Sequence, residues 1–390
     1  MKKRILIDAT TVIEKKDGLS QYIISLLDHI PEEAFELFDF SVLINKEIKR
    51  EELWAVLDTG KFKIVEARIA PIGPKRDWNM FWFFRKHKKD FDLFHSTSNQ
   101  YPLCLKNGIA TVHDITFRKY LDTPWWTFKI APRYLNRVIK NALYRSAAVI
   151  AVSNATKSAL AENYKLDEKL QNKIEVIYEG WEHLVNKDPV GITNTAVTEH
   201  DKYLFYVGTT RVHKNIKNLL KAFAIVINSL PGNINLVISG NDSYLDAEDL
   251  ENINKINATA KRIFFTGFVL KNELEHLFRK ADLFIFPSFS EGFGIPVLEA
   301  FYFKIPVLCS NTTSLPEIAG DAALYFDPYK PEEIASIILY FYNNPEIREA
   351  LIAKGQQRLQ LFSWKRTAAE TILLYKKVLG MQDCFIAPVL

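Results

Sequence analysis

The chain has 390 residues, 48% of them hydrophobic and 25% charged, which is apolar material for two packed cores at about 100–200 residues per domain. A net charge of only +4 excludes a nucleic-acid-binding composition. The three cysteines, Cys104, Cys309 and Cys384, exclude a disulfide framework and show no zinc-ligand spacing, so the expected compartment is reducing and cytoplasmic.

Residues 4–8 read as the first strand; Asp8 cuts its apolar run too short for a signal-peptide core, and no run of about 18 apolar residues follows to span a membrane. Gly18 is expected in the loop after this strand, followed by a helix over 19–27. Residues 40–44 and 62–67 read as strands, and 93–96 as a short apolar stretch. The strand 108–113 ends at His113-Asp114. A helix over 134–145 leads to the buried strand 147–152, and Ser153 caps a helix over 155–162. Residues 174–178 form a further strand. Residues 186–200 turn polar and read as a linker. The second half repeats the pattern, with strands at 203–208, 235–239, 263–266, 283–287 and 306–309. Helices are expected at 216–230, 248–258, 271–280, from the end of the 291–299 segment to about 303, at 331–343, and in the C-terminal stretch.

This alternation predicts an α/β chain of two Rossmann-like domains, 1–185 and 200–370, each a doubly wound parallel sheet. Ligands of such sheets bind at the carboxyl ends of the strands. Two in tandem are expected to face one central cleft, lined by Gly18, His113, Gly208, Gly240, Gly267 and residues 288–294.

The most informative segment is Phe286-Pro287-Ser288-Phe289-Ser290-Glu291-Gly292-Phe293-Gly294-Ile295-Pro296. A strand ends, a glycine loop follows, and Pro296 suits a first helical turn. The glycines admit close approach of a ligand to the backbone, and the helix start offers N–H donors to a diphosphate. Pattern alone leaves two readings open: such a site, or a plain strand-turn-helix with glutamates favoured by the helix dipole.

The motif Pro-Ser-x-x-Glu-Gly-Phe-Gly-x-Pro-x-Leu-Glu-Ala, with Glu291 and Glu299, resembles the signature of glycosyltransferase family 4, retaining transferases of the GT-B fold. Val207-Gly208 with Lys214-Asn215 is similar to the family's phosphate loop. Phe265-Thr266-Gly267-Phe268-Val269, Glu273-Leu274 and Ala281-Asp282 resemble its base-side region. Ser314-Leu315-Pro316-Glu317, Gly320-Asp321-Ala322-Ala323 and Phe326-Asp327-Pro328 follow its next segment, and Val112-His113-Asp114 and Val152-Ser153 match in the first half.

The resemblance implies that Glu291 contacts the transferred sugar, Glu299 the donor ribose and Lys214 the departing diphosphate. Gly208 belongs to the phosphate loop, and Phe268 and Val269 to the base side. Gly292, Phe293 and Gly294 would supply backbone donors, with Ile295 in the same segment. His113 would contact the sugar from the first domain, although a histidine at a strand end can equally be a satisfied polar residue. Gly18 would bring backbone to the diphosphate. The chain departs from the family at His213, where an arginine is usual; Arg211 is the candidate second cation. It departs again at Phe301-Tyr302-Phe303-Lys304, where a small-residue turn is usual. The last helix, about 371–390, is implied to cross back to the first domain.

The Asp-x-Asp at Asp90-Phe91-Asp92 precedes the 93–96 strand, at the end away from the cleft. No cofactor and a metal-independent reaction are therefore expected. Glu317 is expected in a loop, as a contact or as a solvated charge.

Residues 75–145 carry 14 Lys/Arg against 5 Asp/Glu and four of the seven tryptophans, Trp78, Trp82, Trp125 and Trp126. This composition suits peripheral contact with the anionic inner face of the cell membrane, or acceptor binding, or a core face backed by solvated cations.

The expected function is hexose transfer, best matched by mannose from GDP-mannose, to a lipid-linked or growing polysaccharide in lipopolysaccharide or O-antigen synthesis. UDP- or TDP-linked donors stay open. A phosphorylase or sucrose-type synthase is disfavoured on length. A sugar-nucleotide-binding regulatory protein without turnover is disfavoured by the intact Glu291, Glu299, Lys214 and His113.

Overall fold

The computed structural model describes residues 1–12, 18–47, 50–120, 131–184, 202–231, 234–243, 245–259 and 261–381. The chain forms two compact units, Met1–His183 together with the chain from Phe362 onward, and Leu184–Leu361.

In the first unit seven parallel strands form one sheet: β1 (Lys3–Asp8), β2 (Phe38–Asn45), β3 (Lys63–Ala67), β4 (Leu93–Ser96), β5 (Ile109–Val112), β6 (Ala148–Ala151) and β7 (Ile174–Val176), in the order β3-β2-β1-β4-β5-β6-β7. Ile5, Leu6 and Ile7 are fully buried, as a strand covered on both faces requires. The strand order reverses between β1 and β4, which makes their carboxyl ends this sheet's crevice.

The second unit has six parallel strands: β8 (Tyr203–Val207), β9 (Asn235–Ser239), β10 (Ile263–Phe265), β11 (Leu283–Phe286), β12 (Val307–Ser310) and β13 (Ala323–Phe326), in the order β10-β9-β8-β11-β12-β13. Its reversal point lies between β8 and β11, the strands that carry the phosphate-loop and Glu291 segments.

The last described helix, Trp364–Val378, packs on the first unit and begins seven residues before the predicted start. Ser363 caps it by accepting from Arg366 N at 3.1 Å. Trp364 N donates to Glu182 Oε2 (3.0 Å) and Thr367 Oγ1 to Tyr178 O (2.6 Å). Deeper in the unit, the fully buried His95 ring lies between Tyr375 Oη (2.6 Å from Nδ1) and Thr111 Oγ1 (2.8 Å from Nε2).

Burial, then repulsion from the neighbouring His113 ring, pushes the His95 pKa down to about 3. The unfolded chain takes up a proton near pH 6.5 that the folded chain refuses. The contribution is therefore complete above about pH 6.5 and shrinks between there and about pH 3, by at most about 1.4 kcal/mol per pH unit. In His95→Asn, the fall in thermal midpoint between pH 7 and pH 5 should be shallower than in the parent chain; equal slopes would reject His95 as the cause.

The bulky turn at 301–304 is accommodated by its neighbours. A Cβ on Gly355 would fall 2.7 Å from the Phe301 ring, so a glycine on the facing helix replaces the missing small turn residue. Phe303 stacks on Phe278 with centroids 5.2 Å apart, and Lys304 takes the left-handed conformation at φ +58°.

The start of the basic, tryptophan-bearing region 75–145 lies in the helix Pro74–His87. Met80, Phe83 and Phe84 are buried, whereas Trp78, Phe81 and Trp82 are exposed. The core-face reading of this helix therefore holds for two of its five aromatics, Phe83 and Phe84. Trp125 and Trp126 lie outside the described residues.

Candidate functional site

At the β8/β11 reversal point two loops meet. Gly208 leaves β8 at φ +147°, and a Cβ there would lie 2.6 Å from Tyr206 Oη; a Cβ on Gly240 would lie 2.2 Å from Gly208 O. The strand ends are thus packed backbone on backbone, which only glycine allows. The short turn Val212–Lys214 ends at Asn215 in the left-handed region, φ +60°. Asn215 Nδ2 donates to Pro287 O (2.9 Å) and Pro328 O (2.7 Å), and Phe289 N donates to His213 O (2.8 Å). These bonds fix the phosphate-loop turn onto the loop after β11.

Held in this way, Lys214 Nζ donates to Glu291 Oε1 at 2.7 Å, the two side chains only 19% and 12% exposed. The ammonium also lies 5.5 Å from the Phe286 ring centroid. An ammonium has three donors and this carboxylate oxygen takes one, so Lys214 can serve a second anion while it orients Glu291.

The Glu291 loop is braced from behind. Glu291 N donates to Thr313 Oγ1 (3.0 Å), Ser314 Oγ donates to Phe293 O (2.8 Å) and Glu291 O (3.1 Å), and Thr312 Oγ1 donates to Phe289 O (3.1 Å). The Glu291 N–H is therefore committed within the protein. Of this bracing trio the sequence marks Ser314 only as part of a family-like segment, and Thr312 and Thr313 only through the Asn-Thr-Thr-Ser run at 311–314, loop-forming residues directly after β12.

Gly294 sits at φ +109° before the helix Ile295–Tyr302, and a Cβ there would lie 2.8 Å from Leu315 Cδ2. No side chain caps this helix, and Pro296 occupies its first turn. The positive end of its dipole lies at the loop that carries Glu291, although Pro296 has no N–H and Val297 N donates to Gly294 O (3.0 Å). Glu299 is the fifth helical residue and is buried. Phe268 is exposed and Val269 half-buried, beyond the edge strand β10 and Gly267 at φ +68°. Arg211 is exposed at the head of the Val212–Lys214 turn. Glu317 lies in the helix Leu315–Ala319 rather than in a loop.

In the first unit, His113 is tied to its own surroundings. Its Nδ1 is 3.1 Å from Glu179 Oε1, its Nε2 is 2.9 Å from Thr97 O, and its N–H donates to Asn99 Oδ1 (2.8 Å). Both ring nitrogens face acceptors, the arrangement an imidazolium satisfies. Burial works against that charge, but the Glu179 carboxylate outweighs it, and the His113 pKa is raised. Glu179, 66 residues away in sequence, carried no local signal. Gly18 heads the helix Gly18–Asp28 instead of lying in a loop, and a Cβ there would meet nothing within 4 Å.

At the carboxyl end of β1, Asp8 and Arg76 form a fully buried ion pair, with Thr10 Oγ1 donating to Asp8 Oδ1 (2.6 Å). Asp90 Oδ2 lies 2.9 Å from His87 Nδ1, and Asp92 forms an ion pair with Arg4. The Arg4 guanidinium and backbone N–H hold the Asp92 carboxyl below its ordinary range.

Residues 17–182 match the family model described as Glycosyltransferase Family 4, and residues 193–358 match the one described as Glycosyl transferases group 1. The chain is 29% identical over 300 residues to an O-antigen chain mannosyltransferase B of Escherichia coli, covering 76% of each protein. A sucrose-phosphate synthase of Thermosynechococcus elongatus superposes with a TM-score of 0.70 at 18% identity, over 97% of this chain and all of that one. The Anabaena protein Alr3699/HepE, solved in complex with UDP and glucose, superposes with a TM-score of 0.71 at 15% identity, over 96% of this chain and all of that one. These structural likenesses establish the GT-B fold.

Proposed function

From the premise that the chain belongs to the glycosyltransferases, with a family 4 first domain and a group 1 second domain, we propose that it transfers a hexose from a nucleotide sugar with retention of configuration. The favoured donor is GDP-mannose, and the acceptor a lipid-linked or growing surface polysaccharide held by the first domain. The enzyme works at the inner face of the cell membrane and without a metal ion. The observation that carries this reading is the 2.7 Å Lys214–Glu291 pair beside the uncapped helix at Gly294.

In the second domain, Lys214 and the helix N-terminus stabilise the negative charge that builds on the leaving diphosphate, while Glu291 orients the sugar through its hydroxyls. Charge that appears only during bond cleavage is where such groups accelerate a reaction. Glu299 holds the ribose, and Phe268 and Val269 flank the base. The printed name of the E. coli relative favours mannose; the UDP complex of the Anabaena neighbour supports a uridine donor as the second reading.

A thermal-shift screen with GDP, UDP, ADP and TDP tests the donor. A nucleotide at about 100 times its Kd adds about 2.7 kcal/mol, an increase of several degrees in midpoint. GDP should give the largest shift. A larger shift with UDP would move the assignment to the second reading, and a midpoint unmoved by all four would sink nucleotide binding. NMR of the product anomer then reads the stereochemistry; an inverted linkage contradicts retention.

A further inference from the structure

The helix Pro74–His87 is apolar on two opposite sides. Its inner side, Met80, Phe83 and Phe84, packs in the core with Leu6, Leu43 and Phe94. Its outer side carries Trp78, Phe81 and Trp82, exposed by 63%, 42% and 49%. These rings brace one another: the Trp78 and Trp82 centroids are 5.8 Å apart, those of Phe81 and Trp82 5.5 Å, and the Arg85 guanidinium lies 5.4 Å from the Trp82 ring.

Five exposed cations, Lys75, Arg85, Lys86, Lys88 and Lys89, lie on this helix or directly after it. The nearby acids are engaged. Asp77 accepts from Tyr134 Oη (2.7 Å) and Leu103 N (2.9 Å), and Asp90 faces His87 Nδ1 (2.9 Å). The Asp77–Tyr134 bond ties this helix to the helix Ala131–Arg145, which adds exposed Arg137, Lys140 and Tyr144.

Exposed aromatics ringed by uncompensated cations fit one partner best. The centre of a protein–protein interface is depleted in lysine, whereas the boundary of an anionic bilayer takes Trp and Phe at headgroup depth with Lys and Arg on the phosphates. We infer that the outer side of helix Pro74–His87 docks this chain on an anionic phospholipid surface, with Trp78, Phe81 and Trp82 in the headgroup layer. This rests on the peripheral location proposed above and is independent of the donor.

Co-sedimentation of the full chain with vesicles tests it. The chain should pellet with phosphatidylcholine–phosphatidylglycerol vesicles, far less with phosphatidylcholine alone, and added salt should release it. Trp78→Ser with Trp82→Ser should weaken partitioning by about ten-fold or more, with an unchanged thermal midpoint because both side chains are exposed. Lys88→Gln with Lys89→Gln, outside the helix, should weaken binding to the anionic vesicles selectively. A parent chain that stays in the supernatant with anionic vesicles, or variants that pellet like the parent, would overturn the proposal. So would a dimer by light scattering that the tryptophan variant dissolves, since the surface would then join copies of the chain. Vesicle binding without turnover leaves the docking surface standing and sinks the transferase reading; turnover without vesicle binding does the reverse.

Discussion

Replacing Lys214 or Glu291 by alanine should lower turnover by about 10- to 100-fold or more, because each removes a charged hydrogen bond worth roughly 1.5–3 kcal/mol at the reacting centre. The structure sharpens how to read the loss. The two side chains are partners at 2.7 Å, so each single variant also strands the other charge at a site 12–19% exposed. The double variant Lys214→Ala with Glu291→Ala should therefore cost much less than the product of the single losses, since residues that act as a unit are not additive. Initial rates with the donor chosen by the thermal-shift screen, set beside thermal midpoints, separate chemistry from folding. Near-parental rates in both single variants would remove the site assignment.

For stability, Gly180→Ala is the most damaging of the glycine substitutions. A Cβ at Gly180 would fall 2.2 Å from Trp364 N, 2.6 Å from Ser363 C and 2.7 Å from Trp364 Cγ. Two of these are backbone atoms at the start of the last helix, and they cannot swing aside as a side-chain tip can. Relief requires shifting that helix, which strains the Trp364–Glu182 and Thr367–Tyr178 hydrogen bonds and the Tyr22–Trp364 ring contact at 5.9 Å. The expected cost is about 3 kcal/mol or more, a fall of roughly 10 °C in the midpoint of the first unit.

Gly18→Ala is the matched control. With nothing within 4 Å of its Cβ, at the head of a helix, it should be neutral or slightly stabilising. A midpoint for Gly180→Ala equal to that of Gly18→Ala would contradict the packing argument. A loss of turnover in Gly18→Ala at parental stability would instead support the role near the diphosphate that the family resemblance gives Gly18.

The sequence by itself determined what depends on short-range pattern. Apolar strand runs alternating with helical spacing specified two doubly wound sheets, because a strand buried on both faces and a helix covering it each leave a local signature. The loop at 286–296 was legible for the same reason: glycines, a proline and the glutamates act through the conformation of their own segment. The tertiary structure alone decided which distant groups meet. Strand order set the β8 and β11 loops side by side, and so paired Lys214 with Glu291 across 77 residues. It brought Glu179 to His113, set Thr312 to Ser314 behind Glu291, and placed Gly355 opposite Phe301. It also decided which side of helix Pro74–His87 faces the core, since apolar residues on both sides leave the periodicity ambiguous. Hydrophobic period is a property of neighbours in the chain; ion pairing, ring packing and exposure are properties of neighbours in space.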